Sequence, residues 1–123
     1  MYNFIPYESR GSNDQSHIAI NKSGEITFSS KFCYENKIFS YINAKLFWDI
    51  QAKVIGISLT NDKNDKGTYK LKRTSRGAGA RIAAQGFLKK NKIDFNKYSG
   101  RYSWKRYEDP AYGSLFIFDL TQR

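Results

Sequence analysis

Residues 68–81 (TYKLKRTSRGAGAR) hold the side chains whose type and spacing point most clearly to chemistry. Lys70, Lys72, Arg73, Arg76 and Arg81 fall within fourteen residues that contain no acid. The chemistry they suit is the binding of a polyanion. Clustered cations raise the local potential and release the counterions condensed on nucleic acid. Arginine adds a planar fork that matches phosphate and the guanine edge. Lys89, Lys90 and Arg101 extend the basic set downstream, and Lys22 stands beside an earlier glycine turn. The plain alternative is a solvated basic loop. For Lys89 and Lys90 it is a pair of cations near a helix C-terminus, where they favour the helix dipole. Gly77-Ala78-Gly79 beside arginine resembles an anion nest. It lacks the Gly-Lys-Ser/Thr ending and the long following helix of a nucleotide-binding loop.

Other chemistries find little to work with. His17 and Cys33 are single, so no zinc site of the usual four-ligand His/Cys kind can be assembled. Asp62, Asp65 and the pair Glu108-Asp109 fall in predicted loops, where solvation is the simpler purpose. No cofactor and no metal is expected, and the chain reads as a non-enzyme. Tyr98, Tyr102, Trp104 and Tyr107 interleave with Lys97, Arg101, Lys105 and Arg106. Cations among aromatics suit stacking on single-stranded bases. In a β-rich chain the same alternation marks one buried strand face, and Trp48 and Trp104 are expected in the core.

The elements must place these cations. The net charge of +10 is concentrated: residues 1–62 sum to zero, 63–106 to +12 and 107–123 to −2. The 123 residues suit one domain, and 40% apolar with 16% aromatic content excludes a largely disordered chain. No apolar run approaches the length of a membrane span, and no secretory signal is visible at the N-terminus. One cysteine cannot form an internal disulfide, so the expected location is the cytoplasm.

Along the chain, residues 1–16 read as an aromatic arm followed by a polar joint. Residues 17–20 and 25–28 form a hairpin around a turn at Asn21-Lys22-Ser23-Gly24. Ser29 or Ser30 caps a short helix over 31–37, with Phe32, Cys33 and Ile38 turned inward. Strands follow over 41–49 and 54–60, and 63–67 is a polar linker. The order then repeats: a strand over 69–73, a glycine turn, a return strand over 80–83 and a helix over 84–91. Strands over 98–107 and 114–120 close the chain. The fold class is α+β, mostly β, as two ββαββ units (17–62 and 68–123) interleaved into one swapped-hairpin or barrel-like domain. Neither unit buries enough alone, so the two must share a core.

An internal repeat supports the division. Phe32, Asn36, Lys37 and Ile38 recur fifty-five positions later as Phe87, Asn91, Lys92 and Ile93. Lys45-Leu46-Phe47-Trp48 aligns at an offset of fifty-six with Arg101-Tyr102-Ser103-Trp104.

The Gly-turn hairpin, short helix and closing apolar hairpin resemble the AbrB-type swapped-hairpin domain. Lys22-Ser23-Gly24-Glu25-Ile26-Thr27-Phe28-Ser29 is similar to the family's basic–x–Gly–Arg–hydrophobic–x–hydrophobic–Pro segment, and residues 45–60 to its closing hairpin. Two units in one chain resemble MraZ-type proteins, in which the pair forms a pseudodimer. The chain also resembles small bacterial proteins that share the Ile-x-Lys-x-Gly start. The resemblance implies a transcriptional regulator or antitoxin subunit that binds duplex DNA through its first hairpins. Two positions depart from the pattern: Glu25 replaces the family arginine and Ser29 the proline. The second hairpin carries the cations instead.

Three readings follow. The leading one is a duplex-DNA-binding protein, with a homodimer as a possible assembly. The others are a single-strand DNA or RNA binder using Tyr98, Tyr102 and Tyr107, and a protein-interaction module whose basic face meets an acidic partner.

Overall fold

The computed structural model describes residues 16–74 and 79–122. Alternation decides the first hairpin: Ile18, Ile20, Ile26 and Phe28 are buried on one face of β1 (Ile18–Ile20) and β2 (Glu25–Phe28). The Asn21 carboxamide oxygen closes the turn by accepting from the backbone amides of Ser23 and Glu25. Gly24, at φ +88°, ends it. Ser29 then does two things at once. Its hydroxyl accepts from the Phe32 amide as the N-cap of α1 (Ser30–Glu35) and from the His17 amide at the start of β1. A single 3-10 turn, Ile38–Ser40, leads into β3 (Asn43–Asp49) and β4 (Val54–Thr60). The second half contains β5 (Thr68–Lys70), β6 (Lys72–Arg73), β7 (Ala80–Ala83) and α2 (Gln85–Lys90), then β8 (Gly100–Tyr102), β9 (Lys105–Asp109) and β10 (Gly113–Asp119).

The architecture is α+β and mostly β, in two five-stranded antiparallel sheets. The first sheet has the order β6-β7-β2-β1-β8 and the second β5-β3-β4-β10-β9, so each draws strands from both halves of the sequence. Their inner faces share one core. Phe32 on α1 sits at its centre, stacked on Phe28 at 5.1 Å and edge-on to Phe116 and Trp104 at 5.0 and 4.9 Å. Such aromatic contacts add to simple area burial.

The two halves match in local geometry. β7 and α2 lie fifty-five positions after β2 and α1. Lys37 and Lys92, the same distance apart, both take the left-handed conformation at φ 50° and 57°. Asp49 and Asp109 both close a hairpin by accepting from amides two and three residues on. The tryptophans do not correspond, however. Trp48 lies within β3 opposite Ile55, whereas Trp104 lies in the bend ahead of β9. Extra residues between α2 and β9 displace the second tryptophan, which a fixed offset of fifty-six does not capture.

The expected strand over 69–73 is also two strands. β5 pairs with β3 in the second sheet, and β6 pairs with β7 in the first. Leu71, whose amide donates to the Ile42 carbonyl, is the bend between them. The strand expected over 98–107 breaks the same way at Ser103 and Trp104, with β8 in the first sheet and β9 in the second. Strands that switch sheets make the corners of packed two-sheet folds. At each corner the side chains keep alternating, so the break leaves no mark in the sequence.

Candidate nucleic-acid interface

The register of the first sheet assembles a row of side chains that the sequence scatters. Lys72 pairs with Arg81, Arg81 with Thr27, Thr27 with Ala19 and Ala19 with Arg101. Directly paired antiparallel residues point to the same side. All five therefore share one face, and Ile18, Ile26, Ile82 and Tyr102 fill the opposite, core face. Lys72 and Arg101 stand at the two edges and are exposed, while Thr27 and Ala19 keep the centre low. Strands lie about 4.8 Å apart, so Arg81 and Arg101 are separated by roughly 14 Å and Lys72 and Arg101 by roughly 19 Å.

Arg81 is not a free cation. Its Nη1 donates to Glu25 Oε2 at 2.8 Å. Glu25 also accepts from the Asn21 carboxamide, and this bond, followed by the Arg81 pair, holds its carboxyl below the ordinary value of 4.5. Glu25 of the first half thus engages an arginine of the second.

The remaining sequence candidates separate. Arg73 faces away from this row and lies over the Phe39 ring, 3.8 Å from its centroid, in a cation–π contact. Lys70 belongs to the second sheet, opposite Asn43. Lys22 is exposed in the β1–β2 turn, and Lys89 and Lys90 are exposed in the last turn of α2. Arg76 and most of the glycine bend lie outside the described residues, as does the arm apart from Ser16. The described part of the basic stretch is therefore a sheet corner between the edge strands β5 and β6, followed by β7, and its described cations face different ways.

The aromatic set does not form a stacking platform. Tyr102 is 1% exposed and packs against Phe118 with ring centroids 5.3 Å apart. Its hydroxyl donates to the Tyr98 carbonyl. Tyr98 is packed against the core, which leaves Tyr107 as the exposed member of the three. Trp104 is partly buried, and its indole N–H donates to Ser16 Oγ at 2.8 Å.

The acids serve the loops. Asp49, Asp62, Asp65, Asp94, Asp109 and Asp119 each accept from a backbone amide two residues ahead, as short acceptor side chains do in turns. Asp65 also pairs with Lys45 at 3.3 Å, and its carboxyl is held low by the Gly67 amide first and by Lys45 next. Cys33 is buried, which pushes its thiol up to about 11. Among the described residues no cluster of His, Cys, Asp and Glu could hold a metal ion, and no helix is long and apolar enough to cross a membrane.

The pairing of Glu25 with Arg81 had no local signal, because it joins residues 56 positions apart. Comparison with protein-family models, with curated proteins and with solved structures finds no match for this chain.

Proposed function

We propose that this chain is a non-enzymatic protein that binds duplex DNA through the outer face of its first sheet. One observation carries the reading: the row Lys72–Arg81–Thr27–Ala19–Arg101, with cations towards its edges and small side chains at its centre. The roughly 14 Å between Arg81 and Arg101 exceeds the major-groove width of about 12 Å, so the two can straddle one groove. The exposed Lys22, in the turn of the same sheet, adds a further phosphate contact. Contacts of this kind position the protein and supply affinity without reading sequence.

The arrangement suits a tandem swapped-hairpin protein of the MraZ-like kind. What supports this is that both sheets take strands from both halves, and that the two halves match in local geometry. In this reading the two halves present a single DNA-facing sheet, and the role is that of a transcriptional regulator.

The test is fluorescence anisotropy with a labelled duplex across a salt series. Affinity should fall linearly on a log–log plot, and Lys72→Ala and Arg101→Ala should each reduce the slope by about 1. Binding that is indifferent to salt, or to both substitutions, would overturn the proposal.

A further inference from the structure

The outer face of the second sheet differs in kind from that of the first. The same pairing argument puts Phe47, Gly56, Ile117 and Lys105 in one row, with Lys45, Ser58, Leu115 and Tyr107 in the next. Gly56 has no side chain, so the sheet is hollowed there. A Cβ at that position would meet Leu115 Cδ1 at 3.3 Å, Phe47 Cβ at 3.6 Å and Ile117 Cγ2 at 3.7 Å. The hollow opens into a groove of about 440 Å³, within the size range of small-molecule sites. Its walls are apolar and its charges are of one sign. Phe47, Tyr107 and Tyr112 stand along it, while Asp49 and Asp109 reach it from the ends of β3 and β9. Among the described residues no lysine or arginine lines it, in a chain of net charge +10.

We infer that this groove binds a small organic cation, with an ammonium, guanidinium or amidinium head on an apolar body. The carboxylates have capacity to spare. Asp49 Oδ1 accepts from the amides of Gln51 and Ala52, and Asp109 Oδ2 from those of Ala111 and Tyr112. The second oxygen of each takes no hydrogen bond among the described residues, and a carboxylate oxygen accepts most strongly from a cationic donor. The aromatic walls favour the same charge. Tyr112 packs on Phe47 with ring centroids 4.6 Å apart yet stays 60% exposed, so its ring keeps an open side for a cation. The neighbouring lysines limit the occupant's size. Lys45 and Lys105 stand on the same face, and each has a carboxylate of its own. Lys45 pairs with Asp65 at 3.3 Å, and Asp119 is the diagonal neighbour of Lys105. A polycationic segment running out of the groove would pass over these lysines and be repelled, whereas a compact cation would not reach them. The inference stands apart from the DNA reading, since it concerns the other sheet.

A nuclear magnetic resonance titration of the full chain tests it, with benzamidine as the cationic probe and benzamide as its neutral counterpart. Benzamidine should shift the amides of Gly56, Tyr112 and Ile117 saturably, and benzamide should bind about tenfold more weakly. Asp49→Asn and Asp109→Asn keep an oxygen that can accept from the turn amides while removing the charge. Each should weaken benzamidine about threefold, and the double variant about tenfold, to the level of benzamide. Equal binding of the two probes, no saturable shift at these amides, or a benzamidine affinity indifferent to the double variant would overturn the inference. A tri-arginine peptide that binds there at least tenfold more tightly than benzamidine would overturn the assignment to a small ligand and give the groove to a protein segment. Shifts at the same amides that grow with protein concentration alone would give it to a second copy.

Discussion

Arg81 and Glu25 meet across the junction of β7 and β2, with guanidinium Nη1 and carboxylate Oε2 2.8 Å apart. They are diagonal neighbours on the outer face, because Arg81 pairs with Thr27 and Glu25 with Ala83. The contact ties one half of the sequence to the other on the surface proposed to meet DNA. A phosphate that engages Arg81 must therefore compete with Glu25.

Glu25→Gln should relieve that competition. We expect tighter duplex binding at low salt and a steeper salt dependence, read by anisotropy. The cost in stability should be below about 1 kcal/mol, since both partners are partly solvated. Unchanged binding would show that Arg81 does not contact DNA.

The same pair gives a pH dependence. Because the Glu25 carboxyl is held below its ordinary value in the folded chain, its contribution is fully present above pH 4.5. It is lost as pH falls through the lowered value. Urea midpoints of the native chain and of Glu25→Gln should therefore converge in acid and separate near neutrality.

Two glycines should respond in opposite ways to alanine. At Gly79 a Cβ would stand 2.7 Å from the Phe28 carbonyl oxygen, a backbone atom that cannot step aside. Gly79→Ala should cost about 1–3 kcal/mol and loosen the link to Thr74, whose amide donates to the Gly79 carbonyl. At Gly86 in α2 nothing lies within 4 Å, so Gly86→Ala should stabilise by about 0.5–1 kcal/mol. Thermal and urea unfolding measure both.

The two tryptophans should also differ. Trp104 donates to Ser16, whereas the buried indole N–H of Trp48 has no acceptor among the described residues. Trp104→Phe should lose about 1 kcal/mol of hydrogen bonding beyond its packing, while Trp48→Phe removes an unsatisfied donor and should cost markedly less. Equal losses would contradict the assignment.

Much of the fold was legible wherever local chemistry decided it. The Asn21–Gly24 turn, a serine cap at 29 or 30 (which the structure places at Ser29) and the inward Phe32, Cys33 and Ile38 follow from residue type and spacing, and so does β4. Alternation also gives the outward direction of Lys70 and Lys72. It cannot show that the two belong to different sheets, because the period of two continues unbroken through Leu71. The row joining Lys72 to Arg101 was likewise hidden, since it depends on strand order. Tyr102 and Tyr107 look alike in sequence, yet one lies in the core and the other faces solvent on either side of the bend at Ser103 and Trp104.

The sheet corners have a mechanical consequence. The four edge strands β5, β6, β8 and β9 belong to just two runs of chain, each crossing from one sheet to the other. Each edge is at most five residues long, which offers little template for an intruding strand. The sheets are hinged together along both sides like the boards of a box, so neither can peel away intact. Heat or denaturant should open them in a single cooperative step.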